Sequence, residues 1–187
     1  ISSKVDNPDC HFERSLPTVT SPVYREPLFL DTSTQLRALA IAPAASTRGP
    51  VTTEIYLRVT PDAQGFTSHL PVILIHTFES RVLSSYGTEH VPAALLVLDT
   101  AKSTGGIIGR AVLDARIGIH VRGETSRNFP KKQYALELRA DDGDADGAQP
   151  MLGLPSHSEW VLSDPVTYDR TLIRNALAFA LSNRIGR

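Results

Sequence analysis

Apolar and polar positions alternate along the first third of the chain, and this period of two is typical of half-buried β-strands. Leu36, Ala38 and Ala40, for example, are spaced two residues apart. Strands at about ten-residue spacing, separated by polar and proline-containing turns, are typical of a β-sandwich. The pattern therefore predicts the last part of a sandwich, with strands at residues 27–30, 34–42 and 52–59.

The pattern changes after residue 60. The turn-rich residues 61–69 predict a linker, and residues 70–78 then form a continuous apolar run. Such a run is typical of a strand in the middle of a sheet that is covered on both faces. Further strands are expected at residues 93–98, 116–122 and 134–138, which together predict a mostly antiparallel sheet.

A helical period follows near the end of the sequence. Asp169 is a good N-cap and Gly186 a good stop signal. Between them, the apolar residues at helical spacing are Leu172, Ile173, Ala176, Leu177, Phe179 and Ala180. The predicted fold is therefore α+β: a β-sandwich remnant over residues 1–60, then the linker, then a mostly antiparallel sheet with one packed C-terminal helix over residues 70–187.

Composition narrows the possible functions. The chain has 19 basic and 20 acidic side chains, so net charge gives no support to nucleic-acid binding. No apolar run reaches the roughly 20 residues that a membrane-spanning helix needs. Cys10 is the only cysteine, which excludes an intrachain disulfide and a thiolate metal cluster. The sequence begins with Ile1 and stops just after the predicted helix, so both ends are expected to be cuts in a longer protein.

Two motifs could suggest a metal, but neither is convincing. Residues 142–147 match the first half of a calcium-binding EF-hand loop, yet Gly153 stands where that loop needs a bidentate acid. A solvated hairpin loop is the better interpretation. The six histidines are scattered; His76 and His120, in neighbouring predicted strands, could approach each other, although hydrogen-bonded core histidines are commoner. We therefore predict no metal ligand in this chain.

The strongest chemical candidate is a group of four basic side chains within eleven residues, where two predicted strands meet: Arg122, Arg127, Lys131 and Lys132. Strand alternation places Arg122 and Lys132 on inward faces, and Lys131 towards solvent. A cation on an inward face needs an anionic partner such as phosphate. The alternative is a solvated turn in which Arg122 or Lys132 forms a structural ion pair with Glu124 or Glu137, and spacing alone favours that alternative.

Three blocks in this region, at residues 116–138, 151–162 and 168–178, resemble the opening part of the CotH (spore coat protein H) kinase family. The first block contains RGETSRNFPKK at residues 122–132, and residues 70–78 look like the first strand of the same domain. One departure is Asp169-Arg170, where such sequences often have AspLys at the helix entry. The likeness shifts the balance towards phosphate binding by the basic residues.

The resemblance implies a protein kinase that transfers phosphate from ATP, with a divalent metal (Mg or Mn), to accessible serines of surface or secreted proteins. It makes Lys132 the counterpart of the phosphate-gripping lysine of kinases, and aims Arg122 at the same cavity. The catalytic acids are expected beyond Arg187, in a C-terminal lobe of the same protein. This chain alone is thus expected to be inactive, and its parent to be secreted or at the cell surface.

The N-terminal part of the sequence supports a different class of protein. Residues 21–40 and 51–56 resemble the last strands of the fibronectin-III-like modules at the ends of chitobiases. In that family the module is an accessory, so no site residue is inferred from it. The alternative functions are therefore a non-catalytic cell-surface or carbohydrate-associated module, and a degenerate kinase-like scaffold that binds nucleotide without turnover.

Overall fold

The computed structural model describes residues 2–4, 16–42, 48–78, 83–84, 87, 89–99, 107, 110–143 and 145–186. Within them the strands are β1 (Ser2–Lys4), β2 (Thr34–Ile41), β3 (Arg48–Tyr56), β4 (Val72–His76), β5 (Val91–Leu98), β6 (Leu113–Arg122), β7 (Gln133–Arg139), β8 (Gln149–Met151), β9 (Leu154–His157) and β10 (Glu159–Leu162). The helices are α1 (Pro61–Gln64) and α2 (Arg174–Arg184). The predicted α+β class with mostly antiparallel sheet is confirmed.

Five strands form the main sheet, in the order β10-β7-β6-β5-β4, and each neighbouring pair is antiparallel. The predicted alternation along β6 is confirmed: Ile117 and Ile119 are buried on one face. Opposite residues of paired strands share a face, so Ile119 lies beside Leu136 of β7. The core of the main sheet therefore follows from the period-two pattern in the sequence. Its buried members are Ala93, Leu95, Val97, Leu113, Ala115, Ile117, Ile119, Leu136, Leu138 and Met151.

The predicted position of the 70–78 strand is wrong. β4 lies at an edge of the main sheet and all five of its residues are half-buried. The strand that is buried on both faces is β5, where Ala93, Ala94 and Leu95 have no exposed surface. Apolar content predicts burial, but it does not tell which neighbours a strand has.

A separate three-stranded sheet forms the N-terminal part, in the order β1-β2-β3, again antiparallel. The strands predicted at 34–42 and 52–59 correspond to β2 and β3, but the one predicted at 27–30 is wrong. Those residues are irregular, and the Phe29 side chain is 91% exposed, so no partner strand orders them. The division into a sandwich remnant, a linker and a kinase-like part stays a prediction; α1 forms one short turn within the predicted linker.

One polar contact ties the two sheets together. Arg37 of β2 is only 4% exposed, and its Nη2 donates a hydrogen bond to the carbonyl oxygen of Asp141, just beyond β7. Arg116 of β6 is also buried, and its Nη1 donates to the carbonyl oxygens of Ala140 (2.8 Å) and Gly143 (2.5 Å). Two arginines from different sheets therefore converge on the loop that follows β7, which we call the carbonyl loop (residues 140–147).

Helix α2 is present near the C-terminus as predicted, but its predicted packing is wrong for the described part of the chain. None of its residues is buried, and Leu177 and Phe179 are 53% and 70% exposed. The helix starts at Arg174, later than Asp169 suggested, and ends just before Ile185 and Gly186. The positive φ of Gly186 (72°) is typical of such an end.

Candidate functional site

The four predicted basic residues lie in a tight connection between β6 and β7, residues 122–132, here called the basic turn. Gly123 begins it with φ 100°, a conformation that side chains with a Cβ rarely adopt. A Cβ there would also overlap the hydroxyl group of Ser126, where one turn of 3-10 helix (Ser126–Asn128) begins. The chain therefore folds back sharply and crowds its positive charges at one end of the main sheet.

The two arginines of the basic turn differ in their surroundings. Arg122, the last residue of β6, is exposed, and its guanidinium makes no hydrogen bond or ion pair with any described residue. Arg127 is half-buried, and its Nε donates to the Glu124 carbonyl oxygen at 2.9 Å. The predicted alternative, an ion pair of Arg122 or Lys132 with Glu124 or Glu137, is not found among the described residues. Glu137 instead lies 3.5 Å from the Arg139 guanidinium.

The two lysines also differ. Lys132 is half-buried, and its Nζ donates to the carbonyl oxygen of Arg127, which closes the turn. The Lys131 side chain is 71% exposed, and its Nζ lies 3.3 Å from Oδ1 of Asp164. The predicted direction of Lys131, towards solvent, agrees with its exposure. Its contact with the buried carboxylate of Asp164 was not predicted.

The predicted inward direction of Arg122 is wrong. Residues on the Arg122 face of β6 are buried in the middle of the strand, where Arg116 is 3% exposed. At the end of the strand Arg122 itself is exposed. In addition, Arg122 pairs with Gln133, so it lies on the opposite face from Tyr134, the face that alternation assigned to Lys132. The Arg122 side chain therefore lies at the exposed end of β6, whereas the Lys132 side chain contacts the basic turn itself. Their roles towards ATP stay predictions.

Asp164 was missed because its position depends on strand register. β10 pairs with β7 so that Leu162 lies opposite Tyr134, and the chain after β10 therefore passes the residues that precede β7. The Asp164 side chain is buried (5% exposed), and its Oδ1 accepts a hydrogen bond from the Val166 N–H at 3.4 Å. Its Oδ2 is buried and accepts no hydrogen bond in the described chain. The only local signal is the Asp-Pro pair at 164–165, which is typical of a turn.

Asp169 organises the start of α2, in line with its prediction as a cap. Its Oδ1 accepts hydrogen bonds from the hydroxyl (2.5 Å) and N–H (3.2 Å) of Thr171, and its Oδ2 accepts the N–H of Arg174 (2.9 Å). The Thr171 hydroxyl and these N–H groups hold the pKa of Asp169 below its usual value. The carboxylate is thus fully engaged in ordering the segment before the helix.

The predicted approach of His76 to His120 is wrong, because β5 separates β4 from β6. His120 instead packs edge-on against His90, with ring centroids 4.7 Å apart. Burial lowers the pKa of His90, although Glu137, 3.7 Å away, acts in the other direction. The two imidazole rings therefore pack against each other beside β6.

The carbonyl loop contains the segment that resembles half of a calcium loop. Its carbonyl oxygens at Asp141, Ala140 and Gly143 accept hydrogen bonds from Arg37 and Arg116. These carbonyl oxygens therefore hold two guanidinium groups. Residue 144 lies outside the described residues.

Metal-binding clusters and membrane-spanning helices are both absent from the described residues. No group of three or more His, Cys, Asp or Glu side chains in this part of the chain could hold a metal ion. Likewise, no described helix is long and apolar enough to cross a membrane.

Comparison with known proteins identifies the segment that carries the basic turn. No curated protein and no solved structure matches the chain. A family model described as CotH kinase protein, however, matches residues 119–187. The match contains the end of β6, the basic turn, β7 to β10, Asp164, Asp169 and α2. The resemblance to this family is therefore confirmed, and the match covers residues 119–187.

Proposed function

We propose that this chain supplies the phosphate-binding turn of an ATP-dependent kinase that phosphorylates serines of surface or secreted proteins. One observation carries the proposal: the basic turn lies entirely within the segment that matches the CotH kinase family model. That turn contains four basic side chains and one acidic side chain, Glu124. A surplus of positive charge at an open end of a sheet is suited to the phosphates of a nucleotide.

The geometry of the turn supports contact with more than one phosphate oxygen. Arg122 and Lys131 both reach solvent, and Arg122 has no partner among the described residues. A guanidinium can hold two phosphate oxygens side by side, whereas an ammonium acts as a point charge. Arg127 and Lys132, which the resemblance also implicates, are tied to carbonyl oxygens within the turn. They therefore give the turn its shape and add positive charge.

Basic side chains are suited to the phosphates of ATP, whereas no group of three or more His, Cys, Asp or Glu among the described residues could hold a metal ion. Asp164 and Asp169 are engaged with Lys131, Thr171 and Arg174. The divalent ion and the acids that handle the serine proton are therefore assigned to residues other than the described ones. Bound ATP would supply the phosphoryl group, and this chain would orient it and offset its negative charge.

Phosphate transfer should be tested with the complete reading frame that contains this chain. Radiolabelled ATP, Mg²⁺ or Mn²⁺ and a serine-rich acceptor protein are expected to give labelled phosphoserine. Arg122→Ala should weaken ATP binding about tenfold, because a hydrogen bond to a charged group contributes about 1.5–3 kcal/mol and 1.4 kcal/mol corresponds to a factor of ten. Arg48→Ala, an exposed arginine of β3, is the control and should bind ATP normally.

The possible outcomes separate the three functions considered. Transfer that depends on Arg122 supports the kinase. ATP binding without transfer, in folded protein with metal present, would instead indicate a degenerate nucleotide-binding scaffold. If the protein neither binds ATP nor transfers phosphate, the proposal is overturned and a non-catalytic surface module is favoured.

A further inference from the structure

We infer that Lys131 is the lysine of the basic turn that contacts the nucleotide phosphates, and that Asp164 positions it. This inference rests on the proposed function and adds to it which lysine takes the main role and which residue positions that lysine. It differs from the sequence-based expectation, in which all four basic residues bind the cofactor and Lys132 is the counterpart of the phosphate-gripping lysine.

The two lysines are adjacent in sequence, but only one of them presents its ammonium to a ligand. The Lys132 Nζ donates to the Arg127 carbonyl oxygen, and the side chain is half-buried. If it turned towards a phosphate, the bond that closes the basic turn would be lost. The Lys131 side chain is 71% exposed, and its one partner among the described residues is Asp164. It can therefore meet a phosphate without any rearrangement of the turn.

Asp164 is built to hold an ammonium in place. The carboxylate is 5% exposed and is fixed by the Val166 N–H, so it cannot follow a lysine out into solvent. Its Oδ2 accepts no hydrogen bond in the described chain, so Lys131 is the cation that balances this buried charge. A buried carboxylate without a counter-ion is unfavourable, and this keeps the ammonium nearby.

An ammonium has three N–H donors. The 3.3 Å ion pair with Asp164 engages the ammonium from one partner only, and the side chain is 71% exposed, so N–H donors remain for a phosphate. Lysine loses much rotamer freedom when it is ordered by a ligand. Because Asp164 restricts the side chain beforehand, part of that loss is already incurred before the nucleotide binds. Asp164 acts through Lys131 and has no contact with the phosphate.

If Asp164 had a purely structural role, its replacement by asparagine would have a different effect on ATP binding. If the carboxylate only stabilises the turn at residues 164–166, asparagine should replace it, since an Asn side-chain oxygen also accepts the Val166 N–H. Asp164→Asn therefore keeps the local turn and removes only the charge that holds Lys131. This substitution separates positioning from folding.

The test is titration calorimetry of the complete reading frame that contains this chain with Mg²⁺-ATP at low salt, together with a thermal melt of each variant. We expect Lys131→Ala to weaken ATP binding at least tenfold, and Lys131→Arg to recover most of that loss. Asp164→Asn should weaken binding about fivefold while the melting temperature stays within about 2 °C of the parent. The double variant should bind no more weakly than Lys131→Ala alone. Arg25→Ala, an exposed arginine before β2, is the control and should bind normally.

Each other outcome has a distinct meaning. If the parent chain binds ATP but Lys131→Ala stays within twofold of it, the inference is wrong while the proposed function stands. If Asp164→Asn binds like the parent, or if its effect adds in full to that of Lys131→Ala, then Asp164 does not act through Lys131. If the protein without any substitution binds no ATP, it is the proposed function that fails.

Discussion

Replacing Gly147 by alanine should destabilise the protein severely, because the carbonyl loop passes directly over the end of β7. A Cβ on Gly147 would lie 2.6 Å from the carbonyl oxygen of Arg139 and 2.7 Å from the backbone nitrogen of Ala140. These are backbone atoms, so they cannot rotate away as the end of a side chain could. To relieve the overlap, the loop must move off the strand.

That movement has a cost that can be counted from the contacts of the loop. The Gly147 N–H donates to the Leu138 carbonyl oxygen at 3.0 Å, and the Ala140 N–H donates to that of Ala145 at 2.9 Å. Each backbone hydrogen bond contributes about 1 kcal/mol net, and steric overpacking adds about 1–3 kcal/mol. We expect Gly147→Ala to lower the free energy of unfolding by about 3 kcal/mol.

Gly143 in the same loop gives a matched control. A Cβ there would meet nothing within 4 Å, so Gly143→Ala should change the free energy of unfolding by less than about 1 kcal/mol. Urea unfolding followed by far-ultraviolet circular dichroism measures both variants, and the midpoints should be compared at equal m-values. If Gly147→Ala unfolds within 1 kcal/mol of the parent, the close approach inferred for this loop is incorrect.

Three further predictions concern the core and the pH dependence of stability. Leu138→Ala, at a position with no exposed surface, should cost about 2–5 kcal/mol in urea unfolding. The Thr171 hydroxyl lowers the pKa of Asp169, so the ionised carboxylate stabilises the folded state above the ordinary pKa of 3.8. That stabilisation is lost as pH falls through the lowered pKa. Asp169→Asn should therefore lack this part of the acid-induced loss of stability. Burial lowers the pKa of His76, whose Nδ1 accepts a hydrogen bond from the Phe78 N–H, so the folded state favours the neutral imidazole. The melting temperature should therefore fall as pH drops below 6.5, the ordinary pKa, and it should fall less in His76→Gln.

The controls for these predictions use exposed or similar side chains. Val161→Ala, at a half-exposed position on β10, should cost clearly less than Leu138→Ala, and equal costs would contradict the core assignment. If Asp169→Asn and the parent lose stability equally between pH 5 and pH 2, the carboxylate is not stabilised as described. A melting temperature of His76→Gln that falls as steeply with acid as that of the parent would assign the dependence to another group.

The sequence predicted part of the interior of the main sheet because apolar residues recur at every second position along β6 and β7. Ile117, Ile119 and Leu136 alternate with less apolar residues, and the pairing of antiparallel strands preserves that alternation. The position of β4 at an edge could not be predicted in the same way. Its apolar run reports burial, and strand order depends on pairings between residues distant in sequence. β9 was missed because all four of its residues are exposed and give no pattern.

The site was predictable in part, for similar reasons. Counting charges located the basic turn, and alternation distinguished Lys131 from Lys132. Alternation could not tell that the Arg122 face opens to solvent where β6 ends. Asp164 is 33 residues from its partner Lys131, and only the register of β10 on β7 brings the two together. Contacts between elements of this kind are not encoded in any local pattern.

The contact between the two sheets differs in kind from the contacts expected at the basic turn. Arg37 of the N-terminal sheet and Arg116 of the main sheet both donate to neutral carbonyl oxygens, and both side chains are buried. Dissolved ions screen charges at the surface far more than buried groups. Rising ionic strength should therefore release a phosphate ligand from the basic turn while the joint between the sheets holds. Salt becomes a way to empty the proposed site without separating the two halves of the protein.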